Sequence, residues 1–547
     1  MTGPSYDAVI IGGGHNGLVA GFYLARAGLR TLILERRPFV GGACNTEEFA
    51  PGYRASTGAY VLSMLRPSIW KDMRLLQRGI VVDEAGPSLN LYPDGASYLL
   101  GDDMAANIEA TARFSQHDAR ALPAFEDELG EVVKSVLPIF DMTAPDPRIR
   151  GLDDLRTIAT MGRLAAKNRR HLNELVELFT SSAGQVLAER FDSEHVRAAL
   201  GWHAINDSVA GPSTPGTAFV LLHDHASDSG EAGVRQWGFV RGGMGILTER
   251  MADAAREAGA TVRCDAEVES VLTKGERAVG VRLSGGEEIL ATRVLSNADP
   301  KRTFLRLCAD ASLPDDFVRD VEAYSCMGTS MKINLGLSGL PSAKGQPQDG
   351  VQPYHAGIVE VTPFIPDMDL QQAQAAYGIA VPDSHVELCF PTVHDPSLAP
   401  EGKHIATIDV NSQPFHLREG TWDAIKDSRA DQVIAQLEQH FPGLSGLIEH
   451  RQVLSPLDLE RLMGLTGGHA LHGDMAPHQL LFMRPVRGWA KYRTPLRGLY
   501  LCGAGTHPGG GVTGANGRNA AREVLRDVKR GRGWSSRGGQ RVISSKD

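Results

Sequence analysis

The chain has 547 residues, too many for a single hydrophobic core, so two or more domains are expected. Its composition, 42% hydrophobic and 22% charged, is that of a globular protein, and a net charge of −9 argues against a general nucleic-acid binder. No apolar run approaches the roughly 20 residues of a membrane span, and Cys44, Cys264, Cys308, Cys326, Cys389 and Cys502 are scattered without a C-x-x-C pair, which argues against a structural zinc site and a thiol–disulfide centre.

The first predicted elements lie between Tyr6 and Glu35. Ala8 to Ile11 is a short apolar run suited to a buried parallel strand. Gly12, Gly14 and Gly17 form G-x-G-x-x-G, Leu18 to Ala27 a helix, and Thr31 to Leu34 a second strand closed by Glu35. Gly12 allows the tight turn, Gly14 lets backbone approach a pyrophosphate, and Gly17 lets helix and strand pack closely. The helix N-terminus offers free N–H groups to phosphate, and Glu35 can accept from ribose hydroxyls. A lone glycine motif is weak. The whole strand–turn–helix–strand–acid unit points to dinucleotide binding, with FAD and NAD both open at this point. The first strand begins within a few residues of Met1, so no cleaved leader and a cytoplasmic location are expected.

Gly41 and Gly42 follow in RRPFVGGACNTEEFAPGYR. With the first unit, this run is similar to the FAD-binding fold of the amine oxidase and phytoene desaturase-like superfamily. The combination GGGHNGLVA, ERR, VGGA, TEE, PGYR, STGAYVLS and LRP resembles most closely the branch named pyridine nucleotide-disulfide oxidoreductase domain-containing protein 2. The resemblance implies a Gly-Gly loop passing the ribityl chain and flavin. It also adds FAD contacts at His15, Asn16, Arg36 and Ala43.

Leu91 to Leu100 is a predicted hairpin turning at Pro93-Asp94-Gly95, and Asp103 to Phe191 is mostly helical. In GRLAAKNRRHLNELVELF, the basic residues Arg163, Lys167, Arg169 and Arg170 stand beside leucines. Peripheral membrane contact is one reading and a solvated helix face the preferred one. From Arg241 the pattern returns to nucleotide-fold material, with strands at Val268 to Leu272, Val279 to Leu283, Glu288 to Ala291 and Val294 to Ser296. The resemblance places the Val268 backbone at adenine. Gly242-Gly243-Met244-Gly245 is not a second G-x-G-x-x-G, so a pyridine-nucleotide disulfide reductase is not expected.

Met331 to Leu337 alternates as a strand would, with further strands at His385 to Phe390 and Ile405 to Asn411 and a helix at Asp423 to His440. The histidines of this region have no ligand spacing, so no metal site is expected. GLTGGHALHGDMAPHQLLF, residues 464 to 482, reads either as a cover over a flavin face or as a polar loop. Leu499 to Cys502 is a buried strand, followed by Gly503-Ala504-Gly505-Thr506-His507-Pro508-Gly509-Gly510-Gly511 and a helix over Thr513 to Val524. This is similar to the C-terminal flavin motif of phytoene desaturases. Gly503, Gly505, Gly511 and Val512 are its expected contacts, and backbone N–H groups at Gly511 and Val512 suit charge on reduced flavin. His507 is the catalytic candidate, with a conformational role preferred because Pro508 follows it. Ala504 stands where many flavoproteins carry aspartate, which leaves phosphate contacts to the backbone.

The expected fold is α/β: a GR2-type Rossmann-like FAD-binding domain with an inserted α+β substrate domain made of a β-sheet and a helical cap. Residues 1–82, 236–303 and 481–528 form the first, 83–235 and 304–480 the second, and 529–547 a basic disordered tail. The resemblance implies an FAD-dependent oxidoreductase that oxidises or desaturates a small apolar, isoprenoid or lipid-like, substrate by hydride transfer to flavin N5, with oxygen or a quinone as electron acceptor. A redox-neutral carotenoid-type isomerase, an amine oxidase, and a flavin-containing interaction protein with little turnover are the alternatives, and a homo-oligomer is left open.

Overall fold

The structure, a computed structural model, describes residues 5–144, 146, 152–205, 207–226, 237–347 and 350–531. The fold is α/β, built on two large sheets. The first has five strands, all parallel, in the order Leu499–Leu501, Val294–Ser296, Ala8–Ile11, Thr31–Leu34 and Thr261–Arg263. Ala8–Ile11 is buried on both faces, as a central parallel strand must be. Ala8 and Ile10 pack on the helices His15–Arg26, Met244–Glu257 and Ala515–Lys529. Val9 and Ile11 pack on the opposite side, against a three-stranded antiparallel sheet running from Val268–Thr273 through Ala278–Leu283 to Glu288–Leu290.

Close backbone approach sets the helix layer. A Cβ on Gly17 would lie 2.2 Å from the Gly12 carbonyl oxygen, and one on Gly517 would lie 2.1 Å from the Asn16 carbonyl oxygen. The first helix is thus pressed between the strand it follows and the last helix of the chain. That last helix runs to Lys529, past the expected end at Val524, and the rest of the expected tail lies almost wholly outside the described residues.

The second sheet has seven strands in the order Ile448–Leu454, Met331–Leu337, His404–Val410, Val386–Cys389, Ile358–Val361, Ser88–Leu91 and Ser97–Leu100. The hairpin at Leu91 forms as expected, and its strand Ser88–Leu91 joins Ile358–Val361 in parallel. Ile333, Val386 and Val410 pack against Trp422, Val433 and Leu437 of the helix Trp422–His440. Met331–Leu337 forms a strand as its alternation predicts, and all seven of its residues are buried. On its second face Lys332 and Gly336 are covered by the rings of Tyr60 and Tyr53, and a helical cap stands over the cavity beyond. That cap packs Gln116–Phe140, Ala183–Ala188 and Ala218–Asp224 around Phe125, Leu187 and Phe219.

The segment read as basic and amphipathic folds as two helices, Leu152–Lys167 and Leu172–Thr180. Arg163, Lys167, Arg169 and Arg170 are exposed in and between them. No helix of the described residues is long and apolar enough to cross a membrane.

A buried charge cluster ties the cap segment at Asp207 to the later segments at Thr329 and His469–Asp474. His469 Nδ1 lies 2.8 Å from Asp207 Oδ2, and its Nε2 lies 2.9 Å from Asp474 Oδ1. Burial disfavours the charged ring, but the two carboxylates outweigh it and raise His469 to about 9. Asp207 also accepts from the Thr329 and Ala470 amides, so one carboxylate joins three segments.

Two outcomes follow from these contacts. Gly17→Ala should destabilise the fold by about 1–3 kcal/mol through overpacking, read as a lower urea midpoint. Because His469 is raised in the folded state, its contribution is fully present below pH 6.5 and is lost as pH rises through about 9. The melting temperature of the wild type should therefore fall across that window by a few degrees more than that of His469→Gln, whose midpoint is already lower at neutral pH.

Candidate active site

The carboxyl ends of Ala8–Ile11, Thr31–Leu34 and Val294–Ser296 open into a cavity of about 570 Å3 that continues to the polar face of the seven-stranded sheet. In open α/β sheets this end of the strands is where ligands bind. Gly12, Gly14, His15 and Asn16 line it, and so do Glu35, Arg36, Gly41, Gly42 and Ala43. The helix His15–Arg26 begins here with Gly14 as N-cap and no side-chain cap, so its first N–H groups point at the cavity without an internal partner. Glu35 accepts from Gly13 N at 2.8 Å and from Arg37 N at 3.0 Å. A carboxylate has about four acceptor positions, so it retains capacity for ribose hydroxyls.

The Gly41-Gly42 loop is knitted to this turn. Gly41 N donates to Gly13 O at 2.9 Å, and a Cβ on Gly42 would lie 3.3 Å from Gly14 Cα. Val268 lines the cavity at its other edge, near Glu269 and Ser284, and Gly511 and Val512 line it from the C-terminal motif.

Four expected residues do not line it. Gly17 faces the Gly12 carbonyl, Gly503 the Asn297 carbonyl at 2.4 Å from its ideal Cβ, and Gly505 the Pro300 ring at 2.4 Å. His507 is buried with Nε2 2.9 Å from Ile139 O, and its own carbonyl accepts from the Tyr492 hydroxyl. Burial lowers its ring to about 4, so it is neutral and tied to the end of the cap helix, away from the cavity lining.

Several lining residues have no counterpart in the sequence reading. Asn297, just after the strand Val294–Ser296, sits where side chains on Gly12, Gly14 or Gly17 would meet it. Its signal is only its position in LSNADP. Cys44 lies 3.6 Å from His15 Nδ1, and burial pushes its thiol up to about 12. His15 and His472 are both lowered to about 4, first by burial. The buried atoms His15 Nε2 and His472 Nδ1 have no protein partner. Residues 464 to 482 do cover the cavity in part: Gly464, Leu465, Ala470, Leu471 and His472 line it, whereas His469 is held behind them and His478 is exposed.

At the far end stand Tyr60, Trp202, Trp237 and Lys332. Trp202 and Trp237 meet edge to face at 6.1 Å, and Lys332 Nζ lies 3.7 Å from the Tyr60 ring centre and 2.7 Å from Asp409 Oδ2. Aromatic residues therefore do face this cavity, although the sequence pattern singled out none of them.

An uncapped helix N-terminus, an acid at the end of the second strand, glycines with no side chain to intrude, and two orphaned imidazole nitrogens fit an extended dinucleotide. The family model for flavin containing amine oxidoreductase matches residues 17–525. The mouse pyridine nucleotide-disulfide oxidoreductase domain-containing protein 2 is 38% identical over 96% of this chain and 94% of its own. A limonene dehydrogenase chain of Castellaniella defragrans is 26% identical over 95% of each chain. A putrescine oxidase bound to putrescine shares the fold, with a TM-score of 0.58 at 17% identity over 96% of this chain and 99% of that one. The chain belongs to the flavin-containing amine oxidoreductase family, and its cofactor is FAD.

Proposed function

We propose that the protein is an FAD-dependent dehydrogenase or desaturase that takes hydride from a largely apolar substrate onto flavin N5 and passes the electrons to oxygen or a quinone. The observation that carries this reading is the continuity of the cavity. It begins at glycine motifs from both ends of the chain and ends among Tyr60, Val61, Met64, Trp202, Val220 and Trp237. The limonene dehydrogenase chain, similar over 95% of its length, is named for a hydrocarbon.

Bound FAD supplies a hydride-accepting N5 and holds two electrons. The protein's own residues do the rest. Gly14 and the helix start at His15 would receive the pyrophosphate, Glu35 would accept from ribose, and the Gly41–Gly42 backbone would leave room for the ribityl chain. Backbone N–H groups around Gly511 and Val512, which line the cavity, would stabilise negative charge developing on the flavin. The seven-stranded sheet and the cap exclude water from the far end, which strengthens every polar interaction there. His15, His223 and His472 line the cavity and are each lowered to about 4, so all three are neutral near pH 7. A neutral imidazole can accept a proton leaving the substrate.

The purified protein should be yellow and release FAD into the supernatant on denaturation, because the Cys44 thiol stays protonated and is a poor nucleophile. Colour trapped in the precipitate would contradict that outcome. Glu35→Ala should weaken FAD binding by about 10- to 100-fold, the scale of one or two charge-assisted hydrogen bonds, in a titration of flavin fluorescence. Anaerobic addition of an accepted terpene should bleach the visible spectrum, and admission of oxygen or a quinone should restore it. A colourless protein that takes up no FAD would refute the reading.

A further inference from the structure

The far wall of the cavity is a polar row laid across the seven-stranded sheet. Register puts Lys332 opposite Asp409, Asp409 opposite Glu387, and Glu387 opposite Glu360. Asn411, two residues beyond Asp409, shares that face and lies diagonally from Glu387. Folding alone does not account for this row. A buried polar group without a partner costs about 1–3 kcal/mol, and apolar residues would pack such a wall more stably.

Most charges at the wall are matched within the protein. Lys332 pairs with Asp409, His469 with Asp207, and His203 with Asp224. Asp409 Oδ1 keeps no hydrogen-bond partner, and beside it stand Glu387 and Asn411, the two groups of this wall that line the cavity with no pairing of this kind. Each is 6% exposed. Glu387 Oε1 is buried with no hydrogen-bond partner. Asn411 spends Nδ2 on His385 Nδ1 and leaves Oδ1 unpartnered. Burial, with Asp409 beside it, pushes the Glu387 carboxyl well above its ordinary range, which favours its protonated form.

A protonated carboxyl on the same sheet face as a carboxamide oxygen offers one donor and several acceptors. An ammonium group would meet the Lys332 charge seated on Asp409, and a carboxylate would meet Asp409 itself. A hydrocarbon would leave both groups unsatisfied. A hydroxyl group, which donates one hydrogen bond and accepts others, satisfies them. The side chains of Trp202, Val220 and Trp237 provide apolar surface for the rest of such a molecule.

We propose that Glu387 and Asn411 form a head-group subsite for the hydroxyl of an apolar alcohol, so that the substrate is a hydroxylated isoprenoid or a comparable lipid alcohol. This deepens the proposed function and rests on the cavity being its substrate site.

The test is a binding titration of the FAD-loaded protein with three probes of one skeleton: geraniol, geranylamine and the parent diene hydrocarbon. Binding is read from tryptophan fluorescence, which needs no flavin, and from perturbation of the flavin spectrum. Loss of the yellow colour would indict the FAD reading, while the fluorescence titration would still report on the subsite. At neutral pH, geraniol should bind at least about tenfold more tightly than either other probe, the effect of one or two satisfied hydrogen bonds. Glu387→Leu should weaken geraniol about tenfold and leave the hydrocarbon unchanged, and Glu387→Gln should retain most of the preference. Asn411→Leu provides a second, independent variant and should also narrow the gap. Equal binding of the three probes, tighter binding of the amine, equal weakening of all three by Glu387→Leu, or no binding of geraniol would each overturn the proposal.

Discussion

The structure depends on two places where backbone touches backbone with no side chain between. Gly17 rests on the Gly12 carbonyl and Gly517 on the Asn16 carbonyl. These contacts hold the first helix at the depth at which its N-terminus meets the cavity. They also bring together residues 501 apart in the chain, where Gly517 N donates to Asn16 Oδ1. Hydrogen bonds alone would not fix that depth, because each is worth about 1 kcal/mol net. Excluded volume does, because any Cβ at either position forces the helices apart. The cofactor end of the cavity is therefore complete only when the last helix has docked.

The far end follows a different logic. A sheet that buries Lys332, Asn334, Glu387 and Glu360 on one face, with Asp409 half-buried among them, meets a desolvation cost that a simple sandwich avoids. Pairing Lys332 with Asp409 and His469 with two aspartates offsets part of it. Burial raises Glu360 and Glu387 well above the ordinary carboxylate range, which favours their uncharged forms, and His385 Nε2 lies 3.0 Å from Glu360 Oε2. The wall is polar in hydrogen-bonding capacity but nearly balanced in charge. Such an environment discriminates between ligands by donor and acceptor pattern more than by ionic attraction.

Much of the fold was legible in the sequence because its signals are local. The run from Tyr6 to Glu35 carries strand, turn, helix and acid in order, and Leu499 to Gly511 repeats the theme. Period-2 alternation located Met331–Leu337, although not the rings of Tyr60 and Tyr53 that cover its second face. The site was legible only where glycine spacing marks it. Asn297 has no pattern of its own and gains its place from three glycines that are distant in sequence. Lys332, Asp409 and Glu387 become neighbours only through strand register, and His469 becomes a clamp only when Asp207 arrives from the cap. His507 reads as a flavin-motif histidine, yet its ring is turned to Ile139.

That last contact has company. Where the long cap helix ends, Asn519 donates to the Phe140 carbonyl, Arg66 and Arg518 pair with Asp141, and Thr143 donates to Glu523. The cap is thus riveted to the C-terminal helix by side chains of that helix. A cap transplanted from a relative would strand buried donors on Asn519, Arg66 and His507 unless the acceptors at positions 139 to 141 travelled with it. Substrate range in such chimeras is inherited through a seam in the cofactor half of the molecule as well as through the cavity wall, and that seam restricts which caps the scaffold can exchange.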